Sequence, residues 1–95
     1  MSDISIFQQV ADKIIKEQEN IIGPVALEQA KKVPGLKYDE QNREITLQGN
    51  ATDIIENLVE KYKDLFGQAS VEVCRDAARS FMKDLPKDQV PALLR

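Results

Sequence analysis

Two amphipathic stretches joined at Phe66-Gly67-Gln68 restrict this chain more than any other feature of it. From Thr52 onward, Ile54, Ile55, Leu58, Val59, Tyr62, Leu65 and Phe66 recur at the spacing of one helical face, while Asp53, Glu56, Asn57, Glu60, Lys61, Lys63 and Asp64 fall on the other. Asn50 and Thr52 are both able to cap the first free amides of this helix. Gly67 follows its last apolar residue, where a left-handed C-cap suits glycine best. The second stretch repeats the pattern. Ser70 is its expected cap, Cys74, Ala77, Ala78, Phe81, Met82 and Leu85 form its stripe, and Pro86 stops it. Two stripes this close must fold into a helical hairpin or the splayed pair of a helix-turn-helix. Ala77 and Ala78 permit close approach, so Leu58, Tyr62, Ala78 and Phe81 are expected to be buried together between the two helices.

Upstream, residues 4 to 22 read as a first helix with Ile4, Phe7, Val10, Ala11, Ile14, Ile15, Ile21 and Ile22 on one face. Gln18 falls in the middle of that face. It is either half-exposed near the end of the helix or a buried amide that fixes the register of a helix pair. Asp12–Lys16 and Lys13–Glu17 have the spacing of exposed ion pairs. Gly23-Pro24 ends this helix and starts a short one, Pro24 to about Lys32, whose face is Leu27, Ala30 and Val33 with Ala26 beside it. Pro34-Gly35 closes it.

The period then changes. Leu36 and Tyr38 alternate with Lys37 and Asp39, and Ile45 and Leu47 alternate with Glu44, Thr46 and Gln48, as half-buried strands do. Pairing Tyr38 with Ile45 and Leu36 with Leu47 puts all four on one side. The loop lies within Glu40-Gln41-Asn42-Arg43, with Asn42 the expected left-handed residue. A two-stranded hairpin is marginal alone, so it must pack on helices or pair with another chain. Beyond Pro86, one more turn around Val90, Leu93 and Leu94 is limited by Pro91. The expected fold is α+β, mostly helical, in the order α-α-β-β-α-α. It has one antiparallel β-hairpin over about residues 36–48 and a C-terminal helical hairpin over about 52–85, in a single domain spanning 1–95. No internal repeat is visible.

With 95 residues, the chain can bury about two thirds of its unfolded surface. Its aromatic residues are few, so Ile, Leu, Val and Ala must form the core. The net charge of −3 is spread evenly, which disfavours a nucleic-acid footprint and a basic membrane-surface helix. No apolar run approaches a membrane span and no signal peptide is visible at Met1-Ser2-Asp3, so a cytoplasmic protein is expected. The single cysteine precludes an internal disulfide or a redox pair, and the chain has no histidine.

Candidate chemistry is sparse. Cys74 lies on an apolar stripe with no histidine to activate it, which reads as a buried structural thiol. The carboxylates Asp39, Glu40 and Glu44 at the hairpin turn, and Asp84 and Asp88 near the end, lack calcium-loop spacing. The four glycines are isolated, so no phosphate loop exists. No catalytic residue, cofactor or metal is therefore expected. Arg75, Arg79 and Lys83 form an i, i+4, i+8 basic column able to bind phosphate or an acidic partner. Glu72, Asp76 and Asp84 run beside it at spacings that pair with Arg75, Arg79 and Lys87. A nucleic-acid-binding helix-turn-helix is the first alternative, but its recognition helix would set Glu72 and Asp76 against phosphates.

Two short resemblances add to this. Gly67-Gln68-Ala69-Ser70-Val71 resembles the attachment site of acyl carrier proteins, which implies a prosthetic group on Ser70. That family places an acidic residue before the serine, where this chain has Ala69. Ile22-Gly23-Pro24-Val25-Ala26 resembles an apolar-Gly-Pro-apolar-Ala motif of small helical accessory domains on bacterial signalling proteins, which implies a regulatory or interaction role without chemistry. The expected function is a non-enzymatic protein–protein interaction or regulatory module that self-associates as a homodimer, with its protein partner unidentified. Phe7, Ile14, Gln18 and Ile21 are the candidate self-association residues, with Gln18 near a two-fold axis. The competing expectation is that this stripe closes over the two central helices of its own chain.

Overall fold

The structure, a computed structural model, describes residues 6–94. The fold is α+β and mostly helical, with one two-stranded antiparallel hairpin. Helices α1 (Ile6–Ile22) and α2 (Val25–Ala30) are followed by β1 (Leu36–Asp39) and β2 (Glu44–Leu47), then by α3 (Ala51–Phe66) and α4 (Gln68–Ala78). Three short 3-10 turns, Arg79–Asp84, Lys87–Gln89 and Ala92–Leu94, complete the described chain. Ile4, placed by the sequence on the first helical face, lies outside the described residues.

The α3 cap is Asn50, whose side-chain oxygen accepts from the Asp53 amide at 3.0 Å. Thr52 is instead the second helical residue. Ile54, Ile55, Leu58, Val59 and Tyr62 are buried as their spacing predicts, but Leu65 and Phe66 are exposed, so the buried stripe ends a turn before the helix does. Ser70 does not cap α4. The helix starts at Gln68, directly after Gly67, and Ser70 is a buried residue inside its first turn. Further along, the α-helix stops at Ala78 and tightens into the 3-10 turn Arg79–Asp84, with neither glycine nor proline at the break. A 3-10 turn advances 120° per residue against 100° in an α-helix. Phe81 is thereby rotated to a half-buried position, and the expected packing of Phe81 with Leu58, Tyr62 and Ala78 is only partly realised.

The hairpin pairs as its alternation predicts, with Leu36 opposite Leu47 and Tyr38 opposite Ile45. The Gln48 amide donates to the Gly35 carbonyl at 2.7 Å, which makes these two pairs the non-hydrogen-bonded ones. The Ile45 carbonyl therefore points away from β1, and there it accepts from the Gln8 side chain on α1. One edge of the hairpin is in this way tied to a helix. The left-handed residue of the turn is Arg43 (φ 55), not Asn42. Asn42 is engaged otherwise: its amide and side chain, with the Gln41 amide, donate to the Asp39 carboxylate.

The α2 helix is shorter than expected, ending at Ala30, and it buries Ala26 and Ala30 with Val33 just beyond. The Tyr62 hydroxyl donates to the Ala26 carbonyl at 2.7 Å, fixing α2 on α3. After Pro86 the chain is ordered as two 3-10 turns, with Val90, Pro91 and Leu94 buried. The buried hydrophobic residues of the four helices, the hairpin and the last 3-10 turn form one cluster, with Phe81 and Met82 packed against it.

Gly35 has φ +86, and a β-carbon there would lie 2.7 Å from the Gln48 carbonyl oxygen and 2.8 Å from Ile54 Cδ1. Gly23 has φ +77 with open space around it. Left-handed backbone costs an alanine roughly 1–2 kcal/mol at either site. Gly35→Ala is therefore expected to lower the urea midpoint clearly more than Gly23→Ala, because the Gln48 carbonyl is backbone and cannot swing aside. Equal midpoints would remove the close approach as a constraint.

The turn also carries a pH signature. Hydrogen bonds from the Asn42 side chain and then the Asn42 and Gln41 amides hold the Asp39 carboxyl below its ordinary value, and the Lys31 hydrogen bond does the same for Glu40. Lys31 is raised, first through its hydrogen bond to Glu40. The carboxylate contributions are present above the ordinary carboxylate range and lost as pH falls through the depressed values. The Lys31 contribution is present below the ordinary amine range and lost as pH rises through the raised value. Amide-exchange protection at Gln41 and Asn42, corrected for intrinsic rates, is expected to fall on acidification from neutral pH. All three groups are at the surface, so the effect stays local to the turn.

Candidate interaction surface

The residues singled out by sequence fall into three places. Ile14 and Gln18 are in the core. Ile14 is fully buried, and Gln18 is 1% exposed. Its Nε2 donates to the Ser70 carbonyl at 3.1 Å and to Cys74 Sγ at 3.4 Å. Of the two readings of this amide, the buried one is correct, but its partners lie on α4 of the same chain and not across a symmetry axis. Phe7 is half-buried against the core. The stripe of α1 is thus covered largely from within the chain, and neither Ile14 nor Gln18 is accessible to a second copy. Ile21 alone of the four candidates is exposed.

The same contact settles Cys74 and Ser70. Burial pushes the Cys74 thiol up to about 11, and the Gln18 hydrogen bond offsets only part of this. A thiol in that state is a poor nucleophile at neutral pH. Ser70 is 7% exposed and packed where α1 crosses α4, so its hydroxyl is not presented as a modification site.

The basic column is dispersed. Arg75 pairs with Glu72 at 3.3 Å and Arg79 with Asp76 at 2.8 Å, as the adjacent acids allow. Lys83 leaves the column because the 3-10 turn carries it around the axis. In addition, Arg75 Nε donates to the Leu93 carbonyl at 3.1 Å, a structural task the sequence did not indicate.

A cavity of about 420 Å³ opens between α1, α2 and the hairpin. Ile15, Leu27, Tyr38 and Ile45 contribute its apolar lining, and Asp12, Lys16, Glu19 and Arg43 its charges. Asp12 is neutralised by Lys16 at 3.0 Å. The Tyr38 phenol is the only hydroxyl among these lining residues, and they include no thiol. Among the described residues no group of three or more acidic, histidine or cysteine side chains is placed to hold a metal ion. No helix of the structure is long and apolar enough to cross a membrane.

The third place was foreseen only in Ile21. The large apolar side chains exposed among the described residues are Ile21 (62%), Val25 (40%), Leu65 (50%) and Phe66 (40%). They gather where two helix junctions meet. The Gln18 bond to Ser70 brings the end of α1 to the start of α4, and the Tyr62 bond to Ala26 brings the start of α2 to the last turn of α3. Ile21 and Val25 flank Gly23-Pro24, and Leu65 and Phe66 precede Gly67. The motif Ile22-Gly23-Pro24-Val25-Ala26 lies at this end. The signal was present in sequence as apolar residues near glycine, but periodicity put Ile21, Leu65 and Phe66 on buried faces and left Val25 unassigned. No protein family, curated protein or solved structure matches the chain.

Gln18→Ala removes both bonds to α4 and leaves a cavity, and is expected to cost about 2–4 kcal/mol by urea denaturation. Under native conditions Cys74 should resist alkylation in the wild type and react in Gln18→Ala at a rate that tracks its lowered stability. A wild-type thiol that labels as fast as the unfolded chain would show that this crossing is open.

Proposed function

We propose that this protein is a non-enzymatic interaction module that self-associates through the apolar end formed by Ile21, Val25, Leu65 and Phe66. The observation that carries this reading is the concentration of the large exposed apolar side chains at one end, while the rest of the described surface keeps such residues at least half-buried. Scattered exposed apolar residues need no explanation, but a cluster at one end marks a contact surface. The second copy is the partner that fits best. A two-fold contact requires a self-complementary surface, and the exposed Lys63 and Asp64 beside Leu65 offer opposite charges to their symmetry mates. The likeness of Gly23-Pro24-Val25-Ala26 to accessory domains of signalling proteins supports an interaction role at the same place.

Leu65 and Phe66 are exposed, so charged substitutions there leave the core intact. The wild-type chain is expected to show a mass above 10.7 kDa by light scattering at high concentration. Kept native throughout, with no refolding step, Phe66→Asp should return it towards the single-chain mass with an unchanged circular dichroism melt. If Phe66→Asp and Leu65→Asp associate as the wild type does, the apolar end is not the contact.

A further inference from the structure

The 87–94 segment is held on its main chain by side chains from two different helices. It forms no helix or strand pairing with the body. Its backbone bonds include two local ones, from the Gln89 amide to the Pro86 carbonyl and from the Leu94 amide to the Pro91 carbonyl, both at 2.9 Å. Three side chains of the body grip its main chain. The Thr52 hydroxyl donates to the Gln89 carbonyl at 2.7 Å, the Leu93 amide donates to the Glu56 carboxylate at 3.1 Å, and Arg75 Nε donates to the Leu93 carbonyl at 3.1 Å. Thr52 and Glu56 are one turn apart on α3, and Arg75 faces them from α4. Val90, Pro91 and Leu94 fill the groove between them and are buried.

Side chains that read a main chain, with buried positions for a few apolar residues of the segment, are the chemistry of peptide recognition. We infer that the α3–α4 groove is a peptide-recognition groove, and that it accepts the 87–94 segment of a second copy as well as its own. The inference stands on these contacts and not on the apolar end. An identical segment satisfies the groove by construction, so exchange loses no contact. The connection also favours it. Only Leu85 and Pro86 separate the 3-10 turn at Arg79–Asp84 from the segment, and both are extended (ψ 136 and 133). Proline keeps the residue before it extended, so the hinge has no tendency to fold back by itself.

The test uses the full chain with a photoreactive benzophenone amino acid in place of the exposed Gln89, mixed with heavy-isotope-labelled wild-type chain and refolded together at high concentration. Light scattering is expected to show a species of doubled mass. Mass spectrometry should join position 89 of a light chain to the Thr52–Glu56 stretch of a heavy one. Both results should persist when all chains also carry Phe66→Asp, which separates this contact from the apolar end. A single-chain mass at every concentration overturns the inference. So does a doubled mass in which position 89 is joined only to its own chain or that vanishes with Phe66→Asp.

Discussion

Gln18 occupies the centre of a face that is otherwise Ile, Val and Ala, and the arrangement of α1 depends on it. Apolar faces of this kind pack in more than one register, because sliding by a turn replaces one aliphatic contact with another. An amide does not have that freedom. Buried without partners it costs roughly 1–3 kcal/mol, so only a register that supplies an acceptor is stable. Here the acceptors are the Ser70 carbonyl and the Cys74 sulfur on α4. Once α1 is fixed there, Ile14 is enclosed, the thiol is raised and shielded, and the two helix junctions meet at one end.

The other long-range ties follow the same chemistry. Gln8 reaches the Ile45 carbonyl, Tyr62 the Ala26 carbonyl, Thr52 the Gln89 carbonyl and Arg75 the Leu93 carbonyl. Each runs from a side chain on a long helix to the main chain of a short or irregular segment. The long helices contribute apolar area; the short segments, which bury little, are located by directed polar contacts. The hairpin shows why both are needed. Two strands alone do not hold their shape in water. Leu36 and Ile45 bury one face, while Gln8 determines which carbonyl of β2 meets α1.

Periodicity made the elements legible. The alternation around Leu36, Tyr38, Ile45 and Leu47 gave the strand register directly, because a slip of one residue would expose every apolar side chain. The α3 stripe from Ile54 to Tyr62 was equally plain. What could not be read concerns the ends of elements. Leu65 and Phe66 continue the helical period yet lie past the point where α4 and α2 cover it. Ser70 looks like a cap because Gly67 precedes it, but the glycine itself begins the helix and leaves the serine to be buried. The change from α to 3-10 geometry at Arg79 has no local mark, and it displaces Lys83 and Phe81 together. The candidate site suffered for the same reason. Ile14 and Gln18 look available only if the partner of α1 is unknown, and that partner lies more than fifty residues away.

The two proposed contact regions lie at opposite ends of α3, and the geometry of that helix keeps them apart. Thr52 and Glu56, which hold the 87–94 segment, are in its first half, and Leu65 and Phe66 are in its last turn. At 1.5 Å per residue, the distance along the axis from Thr52 to Leu65 is about 20 Å. Residues 87–94 lie against the first half and leave Leu65 and Phe66 exposed, so among the described residues the apolar end stays open whether the groove is filled from within or by exchange. The groove, by contrast, is never without an occupant, because the segment that fits it is tethered by two residues. A surface left open by helix length and a groove filled by a tethered segment respond differently to concentration. The first gains a partner by mass action alone. The second changes partner only when its own segment lets go, which makes exchange slow even where it is favourable.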